Sequence, residues 1–426
     1  MGTSDIVEQI KSGMFDERLK YLYGSEDAIK YNKNRYLKCI DDFYKVFGQG
    51  GELVLLSVPG RSEVGGNHTD HNHGRVLACA IDLDIIAVVR ISDREVVKIK
   101  SEGFAIDIIE LDSLGPVAVE QYKSPALVRG VCARLKELGY KIGGFEAYTS
   151  SCVLKGSGLS SSAAFEVMVA NIISRLYNES FIDPVVMAQA AQFAERDYFG
   201  KPCGLMDQTA CAVGGFITID FADTQKPIIE KLDFDFAKTD HTLCIVDTAG
   251  NHSDLNEDYA SIQGEMKLVA QLLGNEFLRE CDEETFYKKI AELREKAGDR
   301  AVLRAIHFFG DNSRVVQQTQ ALRSSNFELF KKLIIESGRS SFMYLQNIYS
   351  IKNAREQGVS LALAISERLL GSAGAWRVHG GGFAGTIQAF VPSEKLKEYV
   401  TEMNELFGEK ACYLLMVRQA GAYAFN

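Results

Sequence analysis

The chain has 426 residues, 46% of them hydrophobic and 24% charged, which is globular composition on the scale of two or three domains. Its 57 acidic residues against 47 basic ones leave a net charge of −10, which argues against a nucleic-acid partner, since a duplex-binding surface needs basic clusters to displace counterions. No run of about 18 apolar residues is present to span a membrane, and the mixed charged and apolar start at 1–11 lacks the pattern of a signal peptide. Nine cysteines, none at CxxC spacing and most within apolar runs, read as reduced thiols of a cytoplasmic protein.

In chain order, three-to-four spacing of apolar residues predicts helices over 5–14 and 28–47. A strand over 52–58 is expected to end in Pro59-Gly60 and a polar loop. Alternation and β-branched residues then predict strands over 76–81, 85–91, 96–100 and 105–111. Helices follow over 125–138 and 161–177, the second apolar nearly all round and therefore a core helix. A third opens at Asp183-Pro184, an N-cap with proline at the first helical position, and runs to about 198, where Gly200 and Pro202 stop it. Strands return over 216–219 and 243–246, and 254–346 is mostly helical. The chain closes with helix 359–369, strand 384–391, helix 393–407 and strand 411–417. The reading is α+β, with a strand-rich N-terminal half, a helix-rich C-terminal half and a soft boundary near 210.

Five stretches carry chemistry. Lys155-Gly156-Ser157-Gly158-Leu159-Ser160-Ser161-Ser162-Ala163-Ala164 leads straight into the buried helix. Glycines let backbone N–H groups approach a phosphate, and the helix start adds its positive end. The missing Gly-Lys-Ser/Thr rules out a Walker A loop; a Gly/Ser turn that merely caps the helix is the alternative. Glu195 shares a small-residue helix face with Ala188 and Ala191, where a carboxylate has room for a metal or ligand. A surface glutamate beside Arg196 is the alternative. Asp207 lies in the expected loop 201–208 and can accept a proton from a hydroxyl nucleophile, or can be an Asx-turn residue.

The segment 60–73 packs Arg61, Glu63, Asp70 and three histidines behind a buried strand. Asp70 suits a pair of vicinal sugar hydroxyls, and Arg61 suits developing phosphate charge. His68, Asp70, His71 and His73 also permit a metal-hydrolase reading. Gly380-Gly381-Gly382, before the strand over 384–391, implies close backbone approach or a tight hairpin.

Together these blocks resemble the galactokinase branch of the GHMP small-molecule kinases, from about residue 52 to 420. They are Pro59-Gly60-Arg61 with Gly66-Asn67-His68-Thr69-Asp70, the serine-rich loop 156–163, the segment 200–208, Asp247-Thr248 with His252 and Tyr259, and the glycine loop 380–385, in that order. The resemblance implies a two-domain GHMP kinase fold with the active site in the cleft. The expected units are a helical extension over 1–50, an N-terminal domain over 51–210 and a C-terminal domain over 211–426. It implies an ATP-dependent sugar 1-kinase. Asp207 is the base and Arg61 its catalytic partner. Asn67, His68, Asp70, Gly204 and Tyr259 bind the sugar. Gly156, Ser157, Gly158, Leu159, Ser160, Ser161 and Ser162 bind the nucleotide, and Ser162 and Glu195 hold Mg²⁺. The expected partners are a monosaccharide and ATP, with neither nucleic acid nor membrane, for a monomer or weak homodimer.

This chain departs from the family pattern at several positions. Asn67 stands where glutamate is usual, against the sugar's C6 hydroxyl, and His71 where tyrosine is usual. Leu154 replaces a proline, Ser124 and Leu127 replace residues flanking adenine, and His379 replaces threonine. Galactose is the expected substrate. Galacturonate is the alternative that Asn67 favours, followed by N-acetylgalactosamine. A non-catalytic galactose and ATP sensor is the reading from another class.

Overall fold

The computed structural model describes residues 3–153, 158–250 and 255–425. Helices α1 (Thr3–Ser12), α2 (Asp16–Tyr23) and α3 (Glu26–Phe47) open the chain, and Ser25 caps α3 by accepting from the Ala28 N–H. Strand β1 (Val54–Gly65) pairs antiparallel with β2 (Arg75–Ile91). Both are longer than the sequence implied. β1 continues through Pro59-Gly60 because the register slips between Pro59 and Arg61 and again between Glu63 and Gly65, and a bulge tolerates a residue that cannot donate to the ladder. Arg61 and Glu63 therefore sit on a strand, not in a loop.

Strands β3 (Val96–Ser101) and β4 (Ile106–Glu110) precede helix α4 (Ser124–Glu137) and strand β5 (Phe145–Ser151), which had no clear sequence signal. Helix α5 (Ser161–Tyr177) begins and ends where its apolar pattern does, and α6 (Pro184–Phe193) is capped by the Asp183 side chain. One π-helical turn, Ala194–Phe199, extends α6, and the expected loop over 201–208 gives way at Met206 to helix α7 (Met206–Val213), which therefore carries Asp207.

Strands β6 (Phe216–Asp220), β7 (Ile228–Leu232) and β8 (His241–Asp247) follow. Next come helices α8 (Asn256–Leu272), α9 (Glu283–Lys288), α10 (Ile290–Ala297), α11 (Asp299–Arg323), α12 (Phe327–Ser340) and α13 (Gly358–Leu370). The chain ends with strands β9 (Ala375–Val378) and β10 (Thr386–Pro392), helix α14 (Leu396–Phe407), and strands β11 (Cys412–Leu415) and β12 (Tyr423–Ala424).

The larger sheet runs β12-β1-β2-β5-β3-β4, with β6 and then β7 attached to the first half of β2. The smaller sheet is β11-β8-β10-β9, antiparallel throughout. β6, β7 and β12 thus carry chain from beyond residue 210 into the larger sheet. Helices α4 to α7 bury one face of that sheet in the main core. Helices α1 to α3 cover the other face, setting Tyr36, Ile40 and Phe43 against Leu55, Ile86, Val88 and Phe425. Asp84, fully buried on β2, ties these layers together: it accepts from Tyr23 Oη at 2.5 Å, Arg35 Nη1 at 2.8 Å, Arg418 Nη1 at 3.3 Å, and the Ser57 hydroxyl.

Candidate active site

Three segments remote in sequence converge on Asp207. Arg61 donates through Nε to Oδ1 at 2.8 Å and through Nη2 to Oδ2 at 2.7 Å, a two-pronged guanidinium–carboxylate pair. The Ser160 hydroxyl donates to Oδ2, and Arg61 Nη1 donates to the carbonyl of Gly158. The Arg61 backbone N–H reaches the Leu159 carbonyl at 3.2 Å. Burial opposes the charge on Asp207, but the Arg61 guanidinium, the Ser160 hydroxyl and Lys201 outweigh it and hold the carboxyl below its usual range. Asp207 is the second residue of α7, so that helix's positive end lies beside it. Its side chain stays 33% exposed, so the carboxylate is open to a substrate.

Of the serine-rich stretch, the structure describes Gly158 onward. Ser160 precedes α5 in the left-handed conformation, φ 60° and ψ 57°, and Gly158 also has positive φ. The Ser160 hydroxyl goes to Asp207 and makes no side-chain cap bond to α5, whose start carries the orphan N–H groups of any helix N-terminus. Leu159 is buried, and Ser161 and Ser162 are partly exposed in the helix's first turn. Gly156 and Ser157, expected to bind nucleotide, lie outside the described residues, as does His252.

Glu195 is 3% exposed, and the π-helical turn carries it inward. Lys201 Nζ donates to its Oε1 at 2.9 Å and Gln208 Nε2 to its Oε2 at 2.7 Å. Gln208 also reaches Glu166 Oε2 at 3.3 Å, while Glu166 Oε1 is buried without a partner among the described residues. Burial and the Glu195 charge push the Glu166 carboxyl well above its usual range. No cluster of three or more His, Cys, Asp or Glu able to hold a metal ion occurs among the described residues. A Mg²⁺-nucleotide needs fewer protein ligands, because phosphate and water oxygens complete its shell. The residues fit that demand: hard oxygen donors at Ser162 and Glu195, a buried Glu166 oxygen without a partner among the described residues, and a Lys201 whose side chain is 57% exposed.

Among the residues expected to bind the sugar, Asp70 and Gly204 are neighbours, since a Cβ built on Gly204 meets Asp70 Oδ2 at 3.0 Å. The His68 ring lies 2.9 Å through Nε2 from the Gly381 carbonyl, and burial with the nearby His71 pushes its pKa down to about 4, so the neutral ring donates Nε2–H. Tyr259 Oη donates to the Gly382 carbonyl at 3.0 Å, and its ring would overlap a Cβ on Gly381, which explains the glycine there. The three-glycine loop thus admits Tyr259 and His68 against bare backbone. The metal-hydrolase reading loses its ligands here: His68 is committed to Gly381, and His73 stacks on Phe277 at 3.6 Å.

Asn67 is fully buried and saturated. Its Nδ2 donates to Glu63 Oε1 at 3.0 Å and the Gly380 carbonyl at 2.8 Å, and its Oδ1 accepts from Ser341 Oγ at 3.2 Å and Asn347 Nδ2 at 2.8 Å. Its backbone is held by Asp311 and His307 of α11. Sequence reasoning missed Glu63, Lys201, Gln208 and Glu166 as members of the site, and also Arg377, which donates to Glu63 Oε1 at 2.8 Å and the Val64 carbonyl at 2.7 Å. His379 bridges Ser62 Oγ and Thr386 Oγ1 and lies against Gly158.

Comparison with known proteins points to the family that the sequence motifs resemble. The family described as GHMP kinases N terminal domain matches residues 126–215, and the galactokinase galactose-binding signature matches 41–91. The chain is 29% identical over 397 residues to a galactokinase of Clostridium tetani, covering 90% of this chain and 96% of that protein. It is 28% identical over 381 residues to a galactokinase of Limosilactobacillus fermentum, covering 88% and 94%. Among solved structures, Lactococcus lactis galactokinase complexed with galactose superposes with a TM-score of 0.76 at 23% identity, over 91% of this chain and 99% of that one. Methanococcus jannaschii mevalonate kinase superposes with a TM-score of 0.59 at 16% identity, over 86% and 99%.

Proposed function

We propose, from the premise that this chain belongs to the GHMP kinases and to their galactokinase branch, that it transfers the γ-phosphoryl group of ATP to the C1 hydroxyl of galactose. The observation that carries this reading is the convergence of Arg61 and Ser160 on Asp207 at the lip of the serine-rich turn. Phosphoryl transfer needs positioning and charge stabilisation more than covalent help. Asp207, kept ionised, accepts the proton of the C1 hydroxyl as the new O–P bond forms and the bond from the γ-phosphorus to the bridging oxygen of the departing ADP breaks. Arg61 orients that carboxylate and offers its cation to the charge on the equatorial phosphate oxygens. Residues 156–162 and the start of α5 cradle the nucleotide's phosphates. Ser162 and Glu195 would hold Mg²⁺, which when bound neutralises charge on the β- and γ-phosphate oxygens.

Asp70, His68, Gly204 and Tyr259 line the proposed sugar side. The galacturonate reading rested on Asn67 and His71, and the polar side-chain atoms of Asn67 are all engaged within the protein. The sensor reading is disfavoured because the chain keeps Ser160–Ala163, Glu195 and Asp207. The nine cysteines are free thiols, which fits the proposed cytoplasmic setting. The enzyme is proposed to act as a monomer or weak homodimer, apart from nucleic acid and membrane. No described helix is long and apolar enough to cross a membrane.

The test is a coupled kinase assay over galactose, galacturonate, N-acetylgalactosamine and glucose. Galactose-dependent ADP release with formation of the 1-phosphate is expected. Absence of sugar-dependent turnover across the panel overturns the assignment.

A further inference from the structure

Glu63 stands one pleat beyond Arg61 on β1. Alternation places residues 61 and 63 on the same side of the strand, about 7 Å apart, roughly the reach of one pyranose ring. Ser62 between them faces away, toward His379 Nε2 at 3.2 Å.

The two oxygens of Glu63 are in different situations. Oε1 accepts from Asn67 Nδ2 at 3.0 Å and from Arg377 Nη2 at 2.8 Å. Arg377 is fully buried and fixed by a second bond to the Val64 carbonyl, so this grip on Oε1 is rigid. Oε2 receives no hydrogen bond from any described residue, and 9% of the side chain remains exposed. Asn67 is the reverse: its amide has no capacity left for a ligand. The carboxylate expected at position 67 is thus absent, yet the Glu63 carboxylate lies beside the Asn67 amide, hydrogen-bonded to it.

On the reading of this site as a sugar kinase, we infer that Glu63, not Asn67, is its specificity-determining residue. Glu63 Oε2 accepts a hydrogen bond from a hydroxyl of a neutral hexose, and its charge excludes a sugar that carries a carboxylate. Arg377 and Asn67 are positioning residues that aim the free oxygen. Asp70 adds a second negative charge to the same region, so a uronate would meet two carboxylates, with Arg377 already committed to one of them.

The experiment compares wild type with Glu63→Gln in two readouts: steady-state kinetics with galactose and galacturonate, and calorimetric binding of each sugar without nucleotide. A hydrogen bond to a charged group is worth enough that the galactose KM and Kd should rise about 10- to 100-fold in the variant. The kcat should move by only a few-fold, KM for ATP should hold, and the preference for galactose over galacturonate should shrink. A role limited to partnering Arg377 would lower thermal stability without separating KM from kcat, and Arg377→Gln serves as that control. Should Glu63→Gln fail to fold, Glu63→Asp keeps the charge for Arg377 but retracts the free oxygen, and the same rise in KM is expected. A folded variant whose galactose KM, Kd and selectivity match the wild type overturns the inference and leaves the kinase assignment standing. A wild-type protein that neither binds nor phosphorylates a neutral hexose overturns both.

Discussion

Arg61 and Asp207, separated by 146 residues, meet in two parallel hydrogen bonds of 2.8 and 2.7 Å. The fork does two jobs at once: it fixes where the carboxylate points and keeps it ionised. Asp207→Ala should therefore lower kcat by about 10²- to 10⁴-fold while galactose still binds in calorimetry. Arg61→Lys keeps the charge but cannot make both bonds, so a kcat loss of at least about tenfold is expected from the lost geometry alone. Near-normal turnover in the alanine variant would remove Asp207 as the base.

Gly204 and Asp70 meet closely enough that only a glycine leaves the carboxylate in place. A Cβ at 204 would come within 3.0 Å of Asp70 Oδ2, so Gly204→Ala should push that side chain by a few tenths of an ångström. Since Gly204 has an ordinary negative φ and is exposed, the backbone accepts alanine without strain. The expected result is a several-fold rise in galactose KM with little change in kcat or melting temperature. An unchanged KM would place Asp70 away from the sugar.

Legibility followed range along the chain. The apolar run of α5 and the Asp183-Pro184 start of α6 encode their own boundaries, and both elements form where the pattern places them. The residues of the site stood out wherever a local motif held them together, as in the serine turn. Pro59-Gly60 misled because its local meaning is a turn, whereas pairing with β2 draws β1 through it by way of a bulge. Asp207 read as a loop residue because α7 is only eight residues long and is supported by packing under β1 and β2, not by a strong periodic pattern. Glu63 was the hardest to see: its meaning comes from Arg377, 314 residues away, and no local feature of the polar stretch ranks it above its neighbours.

Asp84 draws on both ends of the chain, with Tyr23 and Arg35 from the helical extension and Arg418 from the C-terminal segment. Burial opposes its charge, but the two arginines and the Ser57 and Tyr23 hydroxyls outweigh it and hold the carboxyl low. Asp84→Asn would leave two guanidinium groups short of their counter-charge in the interior, and breaking such a network costs about 3–5 kcal/mol. Urea unfolding should show that loss. The galactose KM of the folded fraction should stay at its wild-type value, because the cluster binds the extension to the sheet away from Asp207. A stability change under about 0.5 kcal/mol would mean that the cluster is solvated enough to tolerate an amide.

The pH dependence of stability can be read as a difference between two proteins. Burial, helped by the charge of Asp70, raises the Glu63 carboxyl against the pull of Arg377, Arg61 and the Asn67 amide, from an ordinary 4.5 to about 7. A carboxyl raised in the fold keeps a proton that the unfolded chain has released. Its contribution to stability is full below the unfolded value and is lost as pH climbs through the folded one. Asp82, raised to about 6, acts in the same sense, while His68, His307 and His379, all depressed by burial, act in the opposite sense over much of the same window. The wild-type profile alone therefore mixes cancelling slopes. Subtracting the profile of Glu63→Gln isolates one group: the wild type should lose stability relative to the variant between pH 4.5 and about 7, then run parallel to it. Over the same interval the wild-type galactose KM should fall as Glu63 ionises, and the variant's should stay flat. A flat stability difference would show that Arg377 keeps Glu63 charged throughout, and the acid limb of sugar binding would then have to come from another group.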